Sequence, residues 1–181
     1  DTLAEDLLLL DEIAGENLDG FQLNIPWPPV EQLLAYQKHR KSKHVKFIFQ
    51  VGQKAIAMVG GGPDQVAFRL SYDYKNVDGV KTALFDLSGG LAKDLDMSYL
   101  SEFLFCAQNR GIEGGVAGGL GPDRLHLLDP IPRDVFVRNI DAEGRLRNDK
   151  NELDLGKALL YYKQAVEYFY PERAEKTSAG S

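Results

Sequence analysis

Two stretches decide how this chain is read: Phe85-Asp86-Leu87-Ser88-Gly89-Gly90-Leu91-Ala92-Lys93-Asp94-Leu95-Asp96 and Gly115-Val116-Ala117-Gly118-Gly119-Leu120-Gly121-Pro122-Asp123. Each reads as the end of a strand that breaks into a turn of small residues and continues into a helix. About one βα repeat separates them, and the unit between, Met97 to Asn109, has helical spacing. Loops of this kind expose backbone N–H groups beside a helix N-terminus, an arrangement that favours a bound phosphate.

Working outward, the same alternation continues in both directions. Thr2 to Ala14 has helical spacing, with Leu3, Leu7, Leu10 and Ile13 on one face and Gly15 closing it. Phe21 to Ile25 reads as a strand that ends at Pro26-Trp27-Pro28-Pro29, a run no strand interior accepts. Val30 to His39 reads as a helix and Val45 to Val51 as a strand. Ala55 to Val59 and Gln65 to Tyr72 have helical character around Gly60-Gly61-Gly62-Pro63. Val80 to Leu87 and Gly111 to Ala117 are the strands that feed the two glycine stretches. Pro122 to Leu128 reads as a helix, Val135 to Ile140 as a strand and Leu153 to Tyr168 as a long final helix.

Strict alternation of strands and helices implies a parallel sheet with right-handed crossovers. Residues 1–171 read as one domain and residues 172–181 as a polar tail. Two α/β architectures fit: part of a parallel (β/α) barrel of TIM type, or an open doubly wound parallel sheet. Gln22 and Asn24 share one strand face, as do Asn139 and Asp141, and Gln50 and Asp86 sit at strand C-terminal ends. Polar groups spread around that rim favour the barrel. A doubly wound sheet instead gathers its ligand contacts at one switch point.

Composition narrows the function classes. The 181 residues carry a formal net charge of −6, from 21 basic and 27 acidic residues. That balance argues against nucleic acid or an anionic membrane as partner. The basic run His39-Arg40-Lys41-Ser42-Lys43-His44 reads as a solvated helix end, where cations suit the helix dipole, with a patch for polyanions as the alternative. A single cysteine, Cys106, allows no intrachain disulfide, and it reads as a small core residue. No run approaches the roughly 20 apolar residues of a membrane span, so a cytoplasmic protein is expected. His39, His44 and His126 lack metal-ligand spacing, and no dinucleotide or P-loop fingerprint occurs, so neither metal nor cofactor is expected.

These residues resemble phosphoribosylanthranilate isomerase and, more broadly, ribulose-phosphate-binding (β/α)₈ barrels. Phe21-Gln22-Leu23-Asn24 matches that family's strand reading roughly V-Q-L-H-G. Leu84-Phe85-Asp86 followed by Gly89-Gly90-Leu91-Ala92-Lys93-Asp94-Leu95-Asp96 matches its L-L-D strand and G-G-x-G-K-x-F-D run. Gly118-Gly119-Leu120-Gly121-Pro122-Asp123-Arg124 matches G-G-L-x-P-E-N, and Ile140-Asp141-Ala142-Glu143-Gly144 its V-D-V-S-S-G. Order and spacing agree over Phe21 to Tyr168. The resemblance implies that this chain covers strands four to eight. Beginning at Asp1 rather than Met, the chain reads as a processed product or a fragment. A missing N-terminal segment, or a second copy in a homodimer, is expected to complete the barrel.

The resemblance also implies roles. Asp86 is the match of the isomerase's general acid, which protonates the ribose ring oxygen in the Amadori rearrangement, an isomerisation of intramolecular-oxidoreductase type. Asp141 and Glu143 are the further candidate catalytic carboxylates. Gly89, Gly90, Gly118, Gly119 and Gly144 are the candidate phosphate-binding residues, with the helix at Pro122 lending its N-terminus. Gln22, Asn24 and Gln50 are candidate substrate contacts. Two positions depart from the family: Asn24 replaces a histidine, and Glu143 replaces a serine near the phosphate. Either Arg145 or Arg147 compensates the charge of Glu143, or Glu143 points away, or the ligand differs. The expectation is an isomerase-like enzyme acting on a phosphorylated sugar-type metabolite. The alternatives are a barrel that binds such a metabolite without turnover and a partner-bound fragment with an incomplete site.

Overall fold

The computed structural model describes residues 2–86, 96–132, 134–142 and 144–171. In chain order these form α1 (Leu3–Ala14), β1 (Gly20–Leu23), α2 (Val30–His39), β2 (Lys46–Val51), α3 (Gln53–Ala57), α4 (Pro63–Asp73), β3 (Val80–Phe85), α5 (Met97–Asn109), β4 (Glu113–Val116), β5 (Asn139–Ile140) and α6 (Leu155–Phe169).

Local chemistry starts the helices where the sequence places them. Thr2 and Glu5 form a reciprocal capping box at α1: Thr2 N donates to Glu5 Oε2 at 2.8 Å and Glu5 N to Thr2 Oγ1 at 3.3 Å. Asp96 caps α5 by accepting from Tyr99 N at 3.1 Å, and Asp154 caps α6 by accepting from Lys157 N at 3.1 Å.

The five strands pair in parallel in the order β1-β2-β3-β4-β5, giving a curled half-barrel sheet. Strand order follows chain order without reversal, so there is no switch point, and the open doubly wound alternative is set aside. Register assigns the faces. Phe21 pairs with Phe47, and Phe85 with both Val51 and Val116, so these side chains share the outer face. Helices cover that face. Phe21 and Phe47 meet Tyr36 of α2 edge-on at 5.6 and 5.9 Å, Phe49 meets Tyr74 just beyond α4 at 4.7 Å, and Phe85 stacks on Phe103 of α5 at 5.3 Å. Each such pair adds about 0.5–1.5 kcal/mol beyond the apolar area it buries.

The opposite, inner face carries Gln22, Ile48, Gln50, Thr82, Leu84, Gly115 and Asn139 in register across the five strands. On this face Gln22 is exposed and Ile48, Gln50 and Asn139 are half-buried, while Thr82, Leu84 and Gly115 at the middle of the sheet are buried.

Several expectations need correction. Of the α1 face, Leu7 is buried, but Leu10 and Ile13 are exposed; the buried stripe is Ala4, Leu7 and Asp11. Asp11 accepts hydrogen bonds from Lys41 N at 2.9 Å, Ser42 N at 3.4 Å and Ser42 Oγ. The basic run is solvated, with His39, Lys41, Lys43 and His44 exposed, and it is also fastened to α1 by these bonds and by Lys41–Glu12 at 3.1 Å, while Arg40 pairs with Asp78 at 3.8 Å. The strand expected over 135–140 shrinks to Asn139–Ile140. Before it, the Gln108 side chain satisfies the backbone, donating to Asp134 O at 2.8 Å and accepting from Phe136 N at 2.9 Å. A side chain thus takes the place of a strand ladder. The helix expected over 122–128 is a four-residue 3₁₀ turn, Leu125–Leu128, because Asp123 turns into the left-handed region at φ +62°. Cys106 is half-buried on α5 rather than in the core, and burial together with Asp64 and Glu102 pushes its thiol pKa up. Among the described residues no helix is long and apolar enough to cross a membrane.

Candidate functional site

A cleft of about 300 Å³ opens at the C-terminal ends of the strands. Its wall follows the sheet. Gln22 and Asn24 come from β1 and its end, Gln50 from β2, and Asp86 from the end of β3. Ala117, Gly118, Gly119 and Leu120 follow β4, and Asp141, Gly144, Arg145 and Arg147 follow β5. Asn151 completes the lining. Strand alternation explains the selection: Gln22 and Asn24, Gln50, Asp86, Ala117 and Asp141 all continue the inner-face parity.

Asp86 is only 7% exposed. Its backbone N donates to Val51 O at 3.0 Å, extending the β2–β3 ladder by one bond and fixing where the side chain leaves the sheet. Its Oδ2 accepts from Gln50 Nε2 at 2.7 Å. On β1, Gln22 Nε2 donates to Asn24 Oδ1 at 3.1 Å, so the two amides orient each other. Asp141 is placed by the same kind of bond, its N donating to Val116 O at 2.9 Å. Behind it, burial and the Asp141 charge push the Tyr161 phenol well above its ordinary pKa. Asp86 and Asp141 lie two strands apart, roughly 10 Å at the backbone.

The turn after β4 has left-handed backbone at both Gly118 (φ +81°) and Gly119 (φ +71°), a conformation side chains resist. No described residue accepts a hydrogen bond from the N–H of Gly118, Gly119 or Leu120. Gly119 and Leu120 are buried at the cleft wall, where a donor needs an acceptor. The α-helix whose N-terminus was expected to support this turn is replaced by the 3₁₀ turn described above.

Compared with models of protein families, with curated proteins and with solved structures, the chain has no match. The site is therefore read from its own residues.

Of the expected site residues, Gln22, Asn24, Gln50, Asp86, Gly118, Gly119, Asp141 and Gly144 line this one cleft. Gly89, Gly90 and Glu143 lie outside the described residues. Trp27 does not line it. Its indole Nε1 donates to Ala55 O at 2.8 Å and Arg69 stacks 4.6 Å from its ring centroid, so it joins the β1–α2 turn to α3 and α4. Leu120 and Asn151 were missed as lining residues. Asn151 belongs to a loop with no strand pattern, and its φ of +63° gives no signal in sequence. Among the described residues no cluster of three or more His, Cys, Asp or Glu is arranged to hold a metal.

Proposed function

We propose that this protein binds a phosphorylated, sugar-type small metabolite in the strand-tip cleft and rearranges it by acid/base catalysis, as the likeness to phosphoribosylanthranilate isomerase implies. Asp86 acts as general acid on the ligand's ring or carbonyl oxygen, and Asp141 faces a second part of the ligand. The amides of the Gly118–Gly119 turn and the Gly144 turn hold the phosphate. Gln22, Asn24 and Gln50 donate to and accept from hydroxyl groups.

One observation carries this reading. A buried carboxylate and a glycine turn whose amide donors no described residue engages sit on neighbouring strand ends around one small polar cleft. The carboxylate supplies proton transfer and the amides supply anion affinity. In the same reading the sheet forms strands four to eight of an eight-stranded barrel, completed by further βα units or a second copy. The one-sided helix layer supports this. So do the exposed Leu9, Leu10 and Ile13 of α1 and Leu155, Leu159 and Tyr162 of α6.

The amide Asn24, where the isomerase carries a histidine, favours the second reading, a barrel that binds without turnover. Calorimetric titration with ribose 5-phosphate and with unphosphorylated ribose tests the common core. Binding of the phosphorylated sugar alone is expected, and Gly119→Val should abolish it, because a β-branched residue at φ +71° displaces the turn. Undiminished affinity in that variant, if folded, removes the phosphate assignment.

A further inference from the structure

We infer that Arg145 is the cation that selects the ligand's phosphate, gripping a phosphomonoester dianion at the β4–β5 end of the cleft. The inference rests on the phosphate-binding reading above and adds the residue that supplies the charge.

The cleft is graded. Neutral amides, Gln22, Asn24 and Gln50, form its β1–β2 side, Asp86 stands at the centre on β3, and both arginines follow β5. The dianion belongs on the β4–β5 side, next to the Gly118–Gly119 donors. Asp141 lines that side as well. A phosphate dianion draws its strongest contacts from positive charge, and loop amides carry none.

The two arginines are not equivalent. Arg147 is committed to its own loop: its Nη1 donates to Asn151 O at 2.8 Å, its backbone bridges Leu153, and its carbonyl accepts from Lys157 Nζ at 2.8 Å. Arg145 is held by packing instead. Its stem lies on Gly121, where an added Cβ would come within 2.7 Å of Arg145 Cβ and 3.0 Å of its Cδ. The Nε atom of Arg145 is buried with no hydrogen-bond acceptor among the described residues. An Nε–H that has lost water and gained no acceptor among the described residues gains more from an arriving anion than a solvated one. The planar guanidinium fork suits two phosphate oxygens at once. Gly121 is then glycine to make room for this arginine.

The test is calorimetric titration of the full chain with ribose 5-phosphate. Arg145→Met, which keeps the stem and removes the charge, is expected to weaken binding at least tenfold. Arg145→Lys should recover part of that loss. Gly121→Ala should weaken binding although Arg145 is still present, and Lys38→Gln, an exposed charge on α2, should leave it unchanged. Wild-type affinity in folded Arg145→Met overturns the inference and leaves the phosphate reading intact. Should circular dichroism show Arg145→Met unfolded, wild-type affinity in folded Gly121→Ala overturns it instead. Failure of the wild-type protein to bind ribose 5-phosphate overturns both.

Discussion

Gln50 Nε2 donates to Asp86 Oδ2 at 2.7 Å, joining the tips of two adjacent parallel strands across 36 residues of sequence. The bond engages one carboxylate oxygen of Asp86 and sets the orientation of the group. In the proposed function a proton-transferring carboxyl needs a fixed direction, and this contact would provide it.

Asp86→Asn keeps the shape of the group and can still accept from Gln50 through its amide oxygen. The expected outcome is a folded protein that binds ribose 5-phosphate as the wild type does. Any isomerase turnover should fall by about 10²–10⁴-fold, the usual contribution of a positioned acid or base. Turnover retained at the wild-type level removes Asp86 from the chemistry.

The Asp11 carboxyl is 1% exposed, and its burial opposes ionisation. Hydrogen bonds from Ser42 Oγ and from the N–H groups of Lys41 and Ser42, with the Lys41 charge, outweigh that and hold its pKa below the ordinary value. A folded-state pKa below the unfolded one means stability that is full above the unfolded value of about 4 and lost as pH falls through the folded value. Thermal melts of the wild type and Asp11→Asn should therefore differ more at pH 7 than at pH 3. An equal gap at both would show that the ionised form adds nothing.

Phe103 is fully buried and stacks on Phe85 at 5.3 Å, bridging α5 to the centre of the sheet. Phe103→Ala should cost about 3–5 kcal/mol of stability, since the rigid sheet behind it cannot collapse into the void. Urea unfolding measures this directly, and a loss under about 1 kcal/mol would mean the layer relaxes.

Trp27→Phe retains most of the apolar contact but leaves Ala55 O without its indole donor. The expected cost is about 1 kcal/mol, with ribose 5-phosphate affinity unchanged because Trp27 lies off the cleft. A loss of ligand affinity would place the indole in the site.

Much of this architecture is legible in the sequence. The Val30–His39 and Met97–Asn109 helices fall where their spacing put them, because each is bounded by strong local signals: prolines before the first, and Asp96 capping the second. The failures came where tertiary contacts override local preference. Residues 135–138 have strand character, yet the Gln108 side chain occupies their backbone groups. Pro122 opens a helix on paper, yet Asp123 turns the chain away.

The alternation of strand and helix, and the parity that puts Gln22, Gln50, Asp86 and Asp141 on one side of their strands, are properties of neighbouring residues and were legible in the linear chain. Which strand lies beside which, and which way the sheet curls, depend on how Phe21, Phe47, Phe49 and Phe85 pack under the helices. That packing, formed between residues far apart in the chain, drew the strand tips around one cleft and set the Arg145 stem on Gly121.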